Sequence, residues 1–331
     1  MDISIGARLT SPTATHDNSP PMITYAKLLA AMLFYGISFV STKIILGTFG
    51  PITIIALRLA ISALFLIALD SVVPDERIGE RRRWPLLADM PALMLVALFE
   101  PTLYFIAENL GLQRVSASIA AIIIATIPVV TAVLARPFLG EPIRLRAILG
   151  FLLSFGGVAF IVVDPSTSGD FTPLGLVLMF AAVLTTAGYS IGIKRLPARY
   201  RPLTIVKMQS LISLPVISGL ALAVEGIPTT MPSPVVGAHL LYLAVFPSSI
   251  AFVFLGSAIR TLGAGRAMLF TNLIPGITAV AAWLLLGEQF SVRKIAGMAI
   301  VVVGVLVAQR GDRFRRRGDH TVNRDELPIQ R

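Results

Sequence analysis

The sequence predicts an all-α integral membrane protein: ten transmembrane helices, built as an inverted repeat of two five-helix halves. Three observations predict it. The 331 residues are 55% hydrophobic and 14% charged, with a mean hydropathy of +0.82, whereas soluble domains carry roughly 25% charged residues. Ten apolar runs are each long enough to cross a ~30 Å hydrocarbon core at ~1.5 Å rise per residue. A tract in the first half returns in the second, 147 residues later.

The repeated tracts are 117–158 and 264–305. Each copy has an apolar run with a proline (Pro128, Pro275) and then a Gly-Glu pair (Gly140-Glu141, Gly287-Glu288). A basic residue follows (Arg146, Arg293), then a second apolar run dotted with glycine (Gly150 and Gly157, Gly297 and Gly304). More than a third of the aligned positions are identical without a gap, among them Thr131 and Thr278, Ala132 and Ala279, and Ile148 and Ile295. The chain is a duplication whose middle lies near residue 170.

In order, residues 1–25 read as a disordered cytoplasmic tail, polar and rich in Ser, Thr and Pro. They lack the short apolar core and small-residue cleavage site of a signal peptide. The first five-helix repeat covers 26–163, with spans at 26–47, 51–69, 89–110, 115–138 and 144–163. A linker at 164–172 leads to the second repeat, 173–309, with spans at 173–193, 203–224, 237–258, 264–286 and 292–309. A basic cytoplasmic tail, 310–331, ends the chain.

The charge pattern sets the orientation. With the N-terminus in the cytoplasm, the cytoplasmic tails and loops hold 22 of the 28 Lys and Arg residues. The outer loops hold three (Arg114, Arg293, Lys294), and three lie inside apolar runs (Lys43, Arg58, Lys207). This bias predicts a multi-pass protein of the plasma, or bacterial inner, membrane with both termini inside. Five crossings per half then make the halves face opposite ways, a plan of secondary transporters.

Several function classes are disfavoured. The net charge of +10 sits in short loops between apolar runs, so it speaks for membrane orientation and not for nucleic acid. There is no cysteine, and three scattered histidines (His16, His239, His320) build no metal or catalytic cluster. No GxxxxGK[ST] loop occurs, so the energy source is a gradient, most simply of protons or of the solute. No enzyme activity and no cofactor is expected. The expected partners are a small-molecule substrate, the lipid bilayer and protons, and a homodimer is left open.

The paired tracts IPVVTAVLARPFLGE (127–141) and IPGITAVAAWLLLGE (274–288) resemble the drug/metabolite transporter superfamily, in its EamA-type ten-helix form. Arg58 in ITIIALRLAISAL and the passage VFPSSIAFVFLGSAIRTLGAGRA (245–267) carry the resemblance further. It runs from about residue 28 to 309, and departs in having Tyr35-Gly36 where many members have Trp-Gly, and two glutamates on the third helix. It implies a basket-like bundle with a central cavity and export of metabolites such as amino acids by alternating access. Efflux of cationic drugs and lipid flipping are the competing readings.

Glu100 and Glu108 are the least expected residues. A carboxylate at the centre of a span costs ~2.5–3.5 kcal/mol on insertion scales. Glu100 lies ~15 Å deep, while Glu108, near the outer end, is within reach of the headgroups. Glu100, Tyr104 and Glu108 are spaced i, i+4, i+8 and form one stripe, expected to face a cavity. Arg58 lies ~11 Å deep on the second helix, so it can pair with Glu100. Paired, Glu100 is structural; unpaired, it is a candidate proton carrier.

Other polar stripes fit a solute path: Tyr35, Ser38 and Thr42 on the first helix, and Thr185, Thr186, Tyr189 and Ser190 on the sixth. Ser248 and Ser249 on the eighth and Asn272 on the ninth extend it, although such hydroxyls are often only back-bonding groups. Pro128 and Pro275 are hinge candidates, because a mid-helix proline removes a hydrogen bond. Glu141 and Glu288 are gate candidates at the two mouths, or interfacial carboxylates paired with Arg144 or Arg293. Lys43 and Lys207 are expected to snorkel.

Overall fold

The computed structural model describes residues 22–72, 85–139, 145–163, 169–193, 196, 200–262, 267 and 270–309. These are helical almost throughout, with one isolated antiparallel bridge between Val115 and Phe171 and no strand among the described residues.

The first helices are α1 (Met22–Ile45) and α2 (Pro51–Val72). A single-turn 3₁₀ segment, Leu87–Asp89, leads into α3 (Met90–Ala97), a wide turn at Leu98–Leu103 and α4 (Tyr104–Leu112). Then come α5 (Ala117–Ile124), α6 (Ile127–Leu139) and α7 (Leu145–Val162). The second half has α8 (Pro173–Ile193), α9 (Pro202–Val224), α10 (Pro234–Val245), a wide turn at Phe246–Ala251 and α11 (Phe252–Leu262). A 3₁₀ turn at Phe270–Leu273, α12 (Ile274–Leu286) and α13 (Val292–Gln309) complete it.

Local chemistry sets the helix ends. Helices α2, α8, α9 and α10 open on proline, whose missing N–H would be unpaired there anyway. Ser116 accepts from Ile119 N at 3.3 Å and caps α5, and Ser233 accepts from Val236 N at 3.4 Å and caps α10. Gly287 stops α12 in the left-handed region, φ 68° and ψ 21°, which costs glycine nothing.

Seven helical runs among the described residues are long and apolar enough to cross a membrane: Met22–Ile45, Pro51–Val72, Leu87–Leu112, Ala117–Leu134, Pro173–Ile193, Pro202–Val224 and Pro234–Ile259. Shorter apolar helices lie at Ile148–Val162 and Phe270–Leu286. The last expected span, α13, carries Arg293 and Lys294 in its first turn. Leucines at 64, 152, 184 and 284 stay exposed on the outside of the bundle, which suits a lipid solvent.

Helices α7 and α13 pack closest, through small residues. A Cβ on Gly157 would lie 2.9 Å from the Gly297 carbonyl, and one on Gly304 would lie 2.8 Å from the Gly150 carbonyl. Such close backbone approach requires glycine. The two contacts exchange when 147 is added to one residue number and taken from the other.

Candidate functional site

One helix breaks at Pro101 and a second widens by a turn at Pro247, both near mid-span, and the two irregular stretches face one cavity. Pro101 has no N–H, so the Ala97 carbonyl loses its helical partner. Ser213 Oγ on α9 donates to that carbonyl at 3.3 Å. Glu100 precedes the proline and is driven out of the helical region, to φ −145° and ψ 123°. Its carbonyl accepts from Gln209 Nε2 at 2.7 Å. Thr102 Oγ1 donates to Ser213 Oγ at 2.9 Å, so α9 supplies the groups that the break needs.

Pro247 does the same between α10 and α11. It frees the Leu243 carbonyl, and Ser248 Oγ donates to it at 2.7 Å. Ser249 Oγ donates to the Ala244 carbonyl at 2.8 Å and shares a second contact of 2.8 Å with Ser62 Oγ on α2. Arg58 Nε donates to Ser248 Oγ. The guanidinium also lies over the Phe105 ring, 4.0 Å from its centroid. Arg58 thereby ties α2 to the second break and to α4.

Between the breaks is a cavity of about 20 Å³, room for a water-sized guest. Glu100, Pro101 and Phe105 line it from one side, Ser248 and Phe252 from another, with Gln209, Ser210 and Val206 of α9 and Leu59 of α2. Glu100 is 6% exposed, and no described side chain donates to its carboxylate.

Of the two alternatives for Glu100, the ion pair with Arg58 is not formed: Ser248 and the Phe105 ring hold the guanidinium instead. Glu108 does not reach toward headgroups either. It is 4% exposed, accepts from Tyr104 OH at 3.0 Å through Oε1, and leaves Oε2 without a hydrogen-bond partner. The Glu100–Tyr104–Glu108 stripe therefore faces inward along its whole length. Of the buried charged groups described, Asp70 and Lys207 pair with each other, and Lys294 pairs with Asp170. Arg58, Glu100 and Glu108 are left at the centre: one cation against two carboxylates.

The other sequence candidates divide. Tyr35 packs edge-on to Phe252, at 5.6 Å between centroids, with its hydroxyl unpartnered and buried. Tyr189 meets the Gln209 side chain. Ser38, Thr185 and Ser190 back-bond to Tyr35 O, Ala182 O and Thr186 O, so their protons are spent on their own helices. Thr42 is buried, and Asn272 is half-buried in the 3₁₀ turn before α12. Pro128 is the second residue of α6 and Pro275 the second of α12, so each sits in the first turn of its helix.

Glu141 lies outside the described residues. Glu288 partners Lys294 Nζ at 3.6 Å and the start of α5, while Arg293 stacks over Phe160. Lys207 does not snorkel: it is 1% exposed, with Asp70 Oδ2 2.7 Å away. Lys43 is half-buried.

From the sequence, Pro101 reads as a disturbance of the helix after Glu100, but its counterpart Pro247 was missed, and with it Gln209, Ser210 and Ser213. A signal was present: the prolines are 146 residues apart, at corresponding places in the two halves.

Comparison with known proteins gives the class. The EamA-like transporter family matches residues 22–163 and again 173–309. The chain belongs to the EamA-like transporter family. An uncharacterized transporter of Archaeoglobus fulgidus is 25% identical over 285 residues, covering 86% of this chain and 97% of that one. A probable terminal-alkyne amino-acid exporter of Streptantibioticus cattleyicolor is 29% identical over 271 residues, covering 80% and 88%. A protein known from a crystal structure has a TM-score of 0.62 at 17% identity, covering 87% of this chain and 98% of its own, which speaks to fold alone. This EamA-like protein is an integral multi-pass membrane transporter, not an enzyme.

Proposed function

We propose that this EamA-like protein is a secondary transporter of the plasma or bacterial inner membrane. It exports small polar metabolites, amino acids or related compounds, by alternating access of two inverted five-helix halves, with both termini in the cytoplasm. The observation that carries the reading is the Glu100 carboxylate, which accepts no hydrogen bond from a described side chain and faces a cavity between the helix broken at Pro101 and the helix widened at Pro247. Broken helices at corresponding places in two halves are where transporters of this plan bind solutes. The exchange of the Gly150–Gly304 and Gly157–Gly297 contacts supports a two-fold relation between the halves.

The charges of the described residues support a coupling mechanism. With both carboxylates ionised, the centre carries one negative charge in excess. A low-dielectric interior does not hold an uncompensated charge. One proton, or a solute with one net positive charge, balances it; an amino acid does so when its own carboxylate is neutralised by a second group. Exchange of the two at Glu100 couples export to the proton gradient. The amino-acid exporter among the relatives suits a solute that bears an ammonium group. The same excess charge favours a second reading, efflux of cationic drugs with Glu100 as counter-charge.

A thermal-shift screen of the purified protein against amino acids, cationic dyes and lipid analogues tests the proposal, since a bound solute stabilises by mass action. Stabilisation by amino acids, followed by their uptake into proteoliposomes, is expected. Stabilisation by dyes alone selects the second reading. Response to lipid analogues alone makes the protein a flippase.

A further inference from the structure

We infer that Glu225 and Glu288 form an outer latch between the two halves, and that Asp70 with Lys207 forms its inner counterpart. The inference rests on the alternating-access reading above.

Glu225 lies just past α9, in the second half. Its carboxylate accepts from Ile52 N at 2.9 Å and Thr53 N at 2.8 Å, in the first turn of α2. Those N–H groups have no partner inside their own helix. The helix dipole favours an anion there. A Cβ on Gly50 would overlap the carboxylate, so the glycine leaves it room.

Glu288 lies just past α12 and repeats the arrangement. It accepts from Ala117 N at 2.7 Å and from Ser118 Oγ at 2.6 Å, at the start of α5. Lys294, almost fully buried, ties it to Asp170 in the segment between the halves, with 3.6 Å to Glu288 and 3.0 Å to Asp170. In both cases a second-half carboxylate seats on a first-half helix start. With the termini in the cytoplasm, α2 and α5 begin at the outer face, where α9 and α12 end.

The other face holds the mirrored arrangement. Asp70, in the last turn of α2, meets Lys207 at 2.7 Å and Arg201 at 3.8 Å, at the start of α9. The carboxylate now belongs to the first half and its partners to the second. With both sets closed the cavity has room for about one water. Opening outward requires Glu225 and Glu288 to leave the helix starts. Opening inward requires Asp70 to leave Lys207.

The chain has no cysteine, so an introduced thiol is the only one present. Ser210→Cys places it on the cavity wall. Its labelling by a membrane-impermeant maleimide, added outside intact cells, reports how often the outer mouth opens. Adding Glu225→Gln and Glu288→Gln should raise the labelling rate roughly tenfold, the size of effect that losing such caps has on an equilibrium. Adding Asp70→Asn with Lys207→Met should lower it. Gly50→Ala, which displaces the Glu225 carboxylate and keeps its charge, should also raise it, and it supplies the reading if the double glutamate variant does not fold. Equal rates in folded Gly50→Ala, latch-variant and parent proteins overturn the latch. Labelling needs no substrate, so a failure to find any transported solute sinks the transport reading without touching this result.

Discussion

Arg58 Nε donates to Ser248 Oγ, whose own proton goes to the Leu243 carbonyl that Pro247 leaves unpaired. One hydroxyl thus anchors a buried cation and repairs a broken helix. Ser248→Ala should lower stability by ~1.5–3 kcal/mol, the range for a hydrogen bond to a charged group. Arg58→Gln should do less harm than Arg58→Ala, because glutamine can still donate to Ser248. Unfolding of the detergent-solubilised variants measures both; an unchanged Ser248→Ala protein means the guanidinium has another anchor.

Close packing of α7 on α13 gives a second test. A Cβ at Gly304 would meet the Ser154 backbone nitrogen at 2.7 Å, whereas one at Gly156 meets nothing within 4 Å. Gly304→Ala should destabilise by ~1–3 kcal/mol, the usual cost of overpacking. Gly156→Ala should be neutral or slightly stabilising, since alanine suits a helix better. Equal melting temperatures for the two variants would show that the helices part freely.

Asp70 and Lys207 form a buried pair, with side-chain exposures of 8% and 1%. Losing one partner of such a pair costs ~3–5 kcal/mol, while replacing both with uncharged groups costs far less. Asp70→Asn should therefore melt well below the parent, and Asp70→Asn with Lys207→Met should regain most of the loss. A double variant no better than the single one would place the stability elsewhere.

Much of this was legible in the sequence, for physical reasons. Composition and run length point to a bilayer because only continuous helices satisfy the backbone there. Glu100 stands out because charge is rare at that depth. Its surroundings were harder to read. Depth allowed an Arg58–Glu100 pair, but depth says nothing about azimuth, and Arg58 turns to Ser248 and Phe105 instead. Lys207 reads as a snorkelling residue until α2 brings Asp70 beside it from 137 positions away. The repeated tract drew attention to Pro128 and Pro275. Pro101 and Pro247 lie outside that tract, in weaker internal similarity, and flank the cavity.

The basic-residue bias, 22 inside against three outside, predicts the topology. A reporter fused after residue 310 should be cytoplasmic, and a tag in 164–172 should be reached from outside. A C-terminal tag accessible on intact cells would refute both the orientation and the number of crossings.

The most direct test of the account is proton-driven transport by Glu100→Gln, which keeps the shape of the side chain and removes its charge. In proteoliposomes with a solute found by thermal shift, the parent should accumulate it under an imposed pH gradient. The variant should fold, exchange labelled for unlabelled solute, and lose the response to the gradient. A Glu100→Gln protein of normal stability, with transport as pH-dependent as the parent's, would contradict the claim that one proton and one solute charge share this carboxylate.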